Sequence, residues 1–172
     1  DYYRALKEFT LAIPDAHIGV SFDAQVFYED WGGSFGLLLT ELSDGRVIVS
    51  QVFPGYPGPE AGIEVGAEIT EWNDEPIQDA IAKVDPFLGP YSTDHDRRLD
   101  QVLFVTRMPV GSRINVTYQN PGGSEQVADM RAAEDYDSLF AALGYDSEDT
   151  VLLPIEAYTM NGGIVYMKIN TF

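Results

Sequence analysis

Ser34-Phe35-Gly36-Leu37-Leu38-Leu39-Thr40, followed by Val47 to Val52 and then by Pro57-Gly58-Pro59-Glu60-Ala61-Gly62-Ile63-Glu64-Val65-Gly66-Ala67-Glu68-Ile69, is the stretch that decides the fold. The first segment reads as a glycine-hinged loop opening into an apolar strand. Ser43-Asp44-Gly45 sets a hairpin between Gly36–Leu42 and Arg46–Phe53, because Asp-Gly suits the turn conformations that join two twisted strands. Pro54 to Pro59 is too rich in proline and glycine for regular structure. Glu60 to Ile63 can form one helical turn that ends before Gly66. Glu68 to Trp72 is the next strand, and Asn73-Asp74 turns the chain.

Working outward, Tyr2, Leu6, Phe9 and Ile13 recur at the three-to-four spacing of an amphipathic helix that Pro14 ends. Val20, Phe22, Ala24 and Val26 alternate with polar residues, which predicts a half-buried strand over 20–26. Trp31 to Ser34 then reads as a loop. On the other side, Ile77 to Val84 fits a short strand or a helix, and Pro86 to Thr93 a loop. Thr93 or Asp94 can cap the following helix, whose expected apolar face is Leu99, Val102, Leu103 and Thr106. Ile114, Val116 and Tyr118 mark a strand, Asn120 to Gly123 a turn, and Val127 to Met130 its partner. Glu134 to Asp149, acidic and without Lys or Arg, predicts an exposed connector carrying a helix over Tyr136–Leu143. Ile155 to Phe172 reads as two strands joined at Asn161-Gly162-Gly163.

At 172 residues and 45% hydrophobic, the chain can bury one core plus appendages. Its 28 Asp and Glu against 10 Lys and Arg give a formal net charge of −18. Such a surface repels phosphate backbones and acidic headgroups, which argues against nucleic-acid and membrane-surface binding. The charge then serves solubility or a preference for basic peptides. There is no cysteine, so disulfides, thiolate zinc sites and cysteine nucleophiles are excluded. No apolar run approaches the roughly 20 residues that cross a bilayer. The absence of an initial Met and the stop at Asn170-Thr171-Phe172 predict a processed form or an excised piece.

A free carboxylate is well held by backbone N–H groups that converge in a tight turn, and glycine permits the positive φ this needs. Ser34, Phe35, Gly36 and Leu37 supply such a turn directly before a strand. A peptide arriving there can add as an extra strand along Leu37, Leu38, Leu39 and Thr40. The helix from Asp94 would form the opposite wall through His95, Leu99, Val102 and Leu103. The alternative is that Leu37, Leu39, Leu99 and Val102 are plain core and Gly36 serves only the turn.

The ordered series, rather than any one glycine, carries a resemblance. Residues from about 31 to 131 resemble the PDZ domain of the tail-specific, or carboxy-terminal processing, serine peptidases. The matching elements are Phe35-Gly36-Leu37, Tyr56-Pro57-Gly58-Pro59-Glu60-Ala61-Gly62-Ile63 and Gly66-Ala67-Glu68-Ile69. Ala67 stands where the family usually has Asp, the first loop glycine is replaced by Ser34 or Phe35, and Pro76 to Thr93 is longer than usual. With only Gly36 kept, the expected hold on a peptide carboxylate is weaker than the family pattern implies. Gly162-Gly163-Ile164-Val165-Tyr166-Met167-Lys168-Ile169 resembles the segment that begins the catalytic domain in this family. The implied fold is α+β: a PDZ-like, partly open β-barrel of five to six strands with two helices. An N-terminal helix precedes it and the first strands of a truncated catalytic domain follow. The implied division is an N-terminal helical segment over 1–17, a PDZ-like domain over 18–132, and a connector with catalytic-domain entry over 133–172.

In one branch of the family the Leu11–His17 region carries a histidine that acts as general base, so the resemblance makes His17 a candidate catalytic residue with Asp15 beside it. The other reading is a polar residue that ends a helix with local hydrogen bonds. Asp94-His95-Asp96 cannot turn three consecutive side chains onto one metal, and no cofactor or metal is expected. Ser34, Ser43, Ser50, Ser112 and Ser124 have no base nearby in sequence and no nucleophile-elbow motif. The expected function is peptide or C-terminus binding within an exported serine endopeptidase, with the nucleophilic serine outside this chain. The expected partners are a polypeptide substrate and the rest of the peptidase. A non-catalytic scaffold protein and a catalytically dead, retinoid-binding-like relative are the alternatives.

Overall fold

The computed structural model describes residues 2–13, 15, 17–20, 23–85, 89–143 and 155–169. Pro14, the start of the loop at Pro86, the connector past Leu143 and Asn170–Phe172 lie outside the described residues. α1 spans Tyr2–Leu11, as the apolar spacing predicts. Of the strand predicted over 20–26, Ala24 to Val26 lie instead in a helix, α2 (Ala24–Trp31), and Ser21 and Phe22 lie outside the described residues. Asp23 decides this, because its carboxylate accepts from the N–H groups of Gln25 and Val26 at 2.9 and 3.2 Å. Those are the donors a helix start leaves open. Of the residues whose alternation suggested a strand, Val26 is buried beside Phe27 on the inner side of the helix and Ala24 is exposed.

The loop predicted at Trp31–Ser34 contains a short strand, β1 (Gly33–Ser34). β2 (Leu37–Glu41) and β3 (Val47–Val52) form the predicted hairpin. The helical turn falls at Pro57–Glu60 (α3), three residues before the expected place, with a proline at its first position. Proline has no N–H to lose there and its fixed φ favours a helix start. β4 (Glu68–Trp72), a two-residue β5 (Glu75–Pro76) and α4 (Ile77–Ala82) follow. α5 runs Asp94–Phe104, with the Thr93 side chain accepting from Asp96 N–H at 3.1 Å. β6 (Arg113–Gln119) pairs with β7 (Glu125–Arg131), and β8 (Ala133–Glu134) and α6 (Asp137–Ala142) come next. β9 (Ile155–Thr159) and β10 (Val165–Ile169) form the last hairpin, which is almost wholly exposed and stacks Tyr158 on Tyr166.

The architecture is α+β, built on an open sheet in the order β2-β3-β4-β6-β7 with β5 beside β4. Its core joins Leu37, Val47, Val49, Ile69 and Val116 from the strands to Ile81 and Val102 from α4 and α5. Six of these seven are β-branched, the residue type that packs best on a pleated surface. Phe35 meets Trp72 edge-on at 5.6 Å inside the same core. A smaller cluster of Phe27, Phe104 and Leu139 ties α2, α5 and α6 together.

Two predicted faces differ from the structure. On α5, Leu99 is 56% exposed, whereas Asp100, Gln101 and Phe104 are buried. Gln101 turns inward because its amide donates to the carbonyls of Ala82 and Val84 at 3.2 and 3.1 Å, satisfying the end of α4. The connector predicted to be exposed from Glu134 begins inside the protein: Asp135 and Ser138 are fully buried. Among the described residues, no helix is long and apolar enough to cross a membrane.

Candidate functional site

The glycine loop is clamped on both flanks. Gly33 exchanges main-chain hydrogen bonds with Met108 at 2.8 and 3.0 Å, and it pairs with Glu134 on the other side. Gly36 has φ +67°, which only glycine adopts without strain. A Cβ there would lie 2.2 Å from the Cβ of Tyr56, so Tyr56 sits directly on the loop. The loop carbonyls are used as well: Phe35 O accepts from Gly58 N–H at 2.8 Å and Gly36 O from Phe53 N–H at 2.9 Å. The Pro/Gly turn thus closes over the loop, with Phe35 and Leu37 fully buried beneath it. Ser34 is fully buried too, and its hydroxyl has no hydrogen-bond partner among the described residues.

The N–H of Gly36 points at an acid from the far end of the domain. It donates to Asp135 Oδ2 at 3.1 Å, across 99 residues of sequence. Asp135 Oδ1 accepts from the Ser138 N–H at 3.0 Å and Oδ2 from the Ser138 hydroxyl at 2.7 Å. The Arg107 guanidinium donates to the Asp135 carbonyl and to Ser138 Oγ. Burial pushes the Arg107 guanidinium down from its ordinary value, and the nearby Asp135 charge acts in the opposite direction. A buried carboxylate is tolerable on these terms, with opposite charge near and its lone pairs used. Above the loop, Tyr56 OH donates to Asp137 Oδ2 at 2.9 Å. Burial first, and then the Asp137 carboxylate, raise the Tyr56 phenol to about 12.

Beyond the loop, β2 is the end strand of the described sheet and faces α5 across a groove of about 480 Å³. Leu39, Leu99, Val102 and Leu103 give it apolar walls, His95 and Arg98 lie along its rim, and Ala142 of α6 adds to the lining. Arg98 spans the groove as a bidentate pair with Glu41, at 2.7 Å from Nε and 2.9 Å from Nη2, and also donates to Gln78. The paired Arg98 holds the Glu41 carboxyl below the usual carboxylate range.

The predicted peptide-contacting residues therefore fall in two places. Leu39, His95, Leu99 and Val102 line the groove together, and Leu38 lies half-buried in its edge strand. Ser34, Phe35, Gly36 and Leu37 lie in the interior, under the Pro57–Glu60 turn and Tyr56. His17 sits apart from both, with a side chain 96% exposed and Nδ1 2.9 Å from Asp15 Oδ1. The Asp15 carboxylate is held below its usual range by the His17 backbone N–H and then by the ring. Among the described residues, no three or more His, Cys, Asp or Glu gather as metal ligands. Sequence reasoning missed Tyr56, Arg107, Asp135 and Ser138. The Asp135-x-x-Ser138 spacing is visible as a helix-start pattern, but nothing local aims it at Gly36.

Comparison with known proteins is informative through structure. No family model matches the sequence, and no curated protein matches it either. Mature CPAF complexed with lactacystin superposes on 96% of this chain and 36% of its own, with TM-score 0.56 and 17% identity. An S499A mutant of CPAF gives TM-score 0.58 at 15% identity, again over 96% of this chain and 37% of its own. The PDZ domain of a Vibrio cholerae carboxy-terminal protease, in complex with peptide, covers 59% of this chain and 93% of its own at 13% identity. Its TM-score of 0.37 is too low to carry an argument. These neighbours are tail-specific peptidases, and this chain spans 36% of the length of the CPAF chain it matches. What the likeness shows is that this fold occurs within tail-specific peptidases.

Proposed function

We propose that this chain is the substrate-handling part of a serine peptidase, and that the groove between β2 and α5 takes an extended stretch of polypeptide. The observation that carries the reading is an end strand with no further described strand beside it, facing an apolar groove, in a fold that overlays CPAF along 96% of this chain. A polypeptide can add to β2 through main-chain hydrogen bonds while alternate side chains enter the apolar cleft. The nucleophilic serine lies outside these residues. His17, exposed and paired with Asp15, fits a base that meets its serine only when the remaining catalytic segments are present.

The groove is tested by fluorescence anisotropy with a labelled ten-residue peptide rich in Leu, Val and Arg. Leu99→Asp places a charge in the cleft at a position 56% exposed, so folding is spared and affinity is expected to fall at least tenfold. Unchanged affinity in that variant would sink the groove. A fluorophosphonate probe should leave this chain unlabelled, and labelling of any of its serines would place the nucleophile here instead.

A further inference from the structure

We propose that Asp135 is a resident carboxylate: it occupies the glycine loop from within the chain, so the groove takes the interior of an extended polypeptide rather than its free C-terminus. This rests on the groove reading above and specifies its substrate. The loop's Gly36 N–H is already donated to Asp135 Oδ2 at 3.1 Å. Asp135 is not placed to swing away. It is fully buried, Ser138 donates to it twice, and its own N–H donates to Gly32 O at 3.1 Å. The strand pairing of β8 with β1 fixes its backbone beside the loop.

Space and charge point the same way. Tyr56 packs on Gly36 so closely that even one added carbon would meet it at 2.2 Å, which helps hold the loop in the conformation that aims its N–H at Asp135. A terminal carboxylate brought there would also face Asp135 at short range, where like charges are poorly screened. The groove between β2 and α5 lies beyond the loop, with Leu99 exposed at its wall, the edge of β2 alongside and the Arg98–Glu41 pair across it. A segment crossing it needs no chain end at the loop. The formal charge of −18 favours an interior segment that is apolar with basic residues over an acidic one.

The test uses two labelled peptides of one Leu/Val/Arg-rich sequence, one a free acid and the other a C-terminal amide, titrated onto the whole chain. The expected result is affinities within twofold of each other. A free acid binding more than tenfold tighter overturns the proposal. If neither peptide binds, the groove reading itself fails, and the resident carboxylate is decided by amide hydrogen exchange at Gly36 in the unliganded chain. That amide should exchange at least a hundredfold more slowly than an unprotected one, and Asp135→Leu should speed it. Unprotected exchange in the unsubstituted chain overturns the proposal whether or not the variant folds.

Discussion

Removing the Asp135 side chain should loosen the whole glycine loop, and the size of the loss follows from what it leaves behind. Asp135→Ala strips the acceptor from two buried N–H groups, those of Gly36 and Ser138, and from the Ser138 hydroxyl. Each buried donor left unmet costs about 1–3 kcal/mol. Arg107, which donates twice into this cluster, would also keep its charge in the interior without the neighbouring carboxylate. Breaking a buried ionic arrangement from one side costs about 3–5 kcal/mol, and the loss should be of that order. Since domains hold together by about 5–15 kcal/mol, the variant should remain measurable.

The assay is urea unfolding at pH 7 of the unsubstituted chain, Asp135→Ala, Arg107→Met and the double variant. Arg107→Met alone removes donors from the Asp135 carbonyl and Ser138 Oγ while leaving the carboxylate without its cation. The double variant removes both charges, so its loss should be smaller than the sum by about 1–3 kcal/mol. Glu125→Ala, at an exposed strand position, is the control and should stay within about 0.5 kcal/mol. A loss under about 1 kcal/mol for Asp135→Ala, or strict additivity with Arg107→Met, would refute the reasoning.

Three other outcomes follow from the same geometry. Gly36→Ala should destabilise well beyond Gly45→Ala: both glycines have positive φ, but the new Cβ at Gly45 meets open space and that at Gly36 meets Tyr56. Gly45→Ala should therefore show only the left-handed backbone cost of about 1–2 kcal/mol, and equal losses in urea unfolding would contradict the close contact. The Tyr56 phenol, raised to about 12, should titrate well above the ordinary tyrosine value in an absorbance titration referenced to Tyr56→Phe. Because its folded value is raised, its contribution is complete below about pH 10 and disappears as pH climbs toward 12; a midpoint near 10 would remove the Asp137 latch. Glu41 is shifted the other way, so the Arg98–Glu41 pair stabilises above the usual carboxylate range and is lost as pH falls through the depressed value. Glu41→Gln should flatten the acid side of the stability–pH curve, and an unchanged acid limb would show that the pair contributes nothing.

What could be read from the sequence was what neighbouring residues decide. The hairpin around Asp44-Gly45, the strand Glu68–Trp72, the helix capped by Thr93 and the hairpin β6–β7 are set within short windows. The groove residues Leu39, His95, Leu99 and Val102 could be nominated because the order of elements places β2 beside α5. Helix α2 was misread because Asp23 caps it, and a two-residue alternation over so short a run also fits one helical face. The inward turn of Gln101 depends on the end of α4, and the burial of Asp135 on a loop 99 residues earlier, so neither leaves a local signature.

That last contact bears on how far a resemblance in element order can be carried. By resemblance to the peptidase PDZ domains, a glycine before an apolar strand implies a loop with a free N–H, and the strands and helices around it follow in the expected order. Whether the N–H is free depends on residues that the element order does not mention. Here Asp135, Ser138 and Arg107 form a closed set of donors and acceptors around it, and Tyr56 covers it. Each member satisfies a neighbour that would otherwise be buried and unpaired, so the set holds together as part of the core rather than as a vacant site. Among the described residues the apolar cleft is crossed only by the Arg98–Glu41 pair: Leu99 is exposed and β2 is the end strand of the described sheet. On the proposed reading, recognition resides in the groove and the glycine loop fixes the position of β2, so the ligand chemistry is to be argued from that cleft rather than from the fold that carries it.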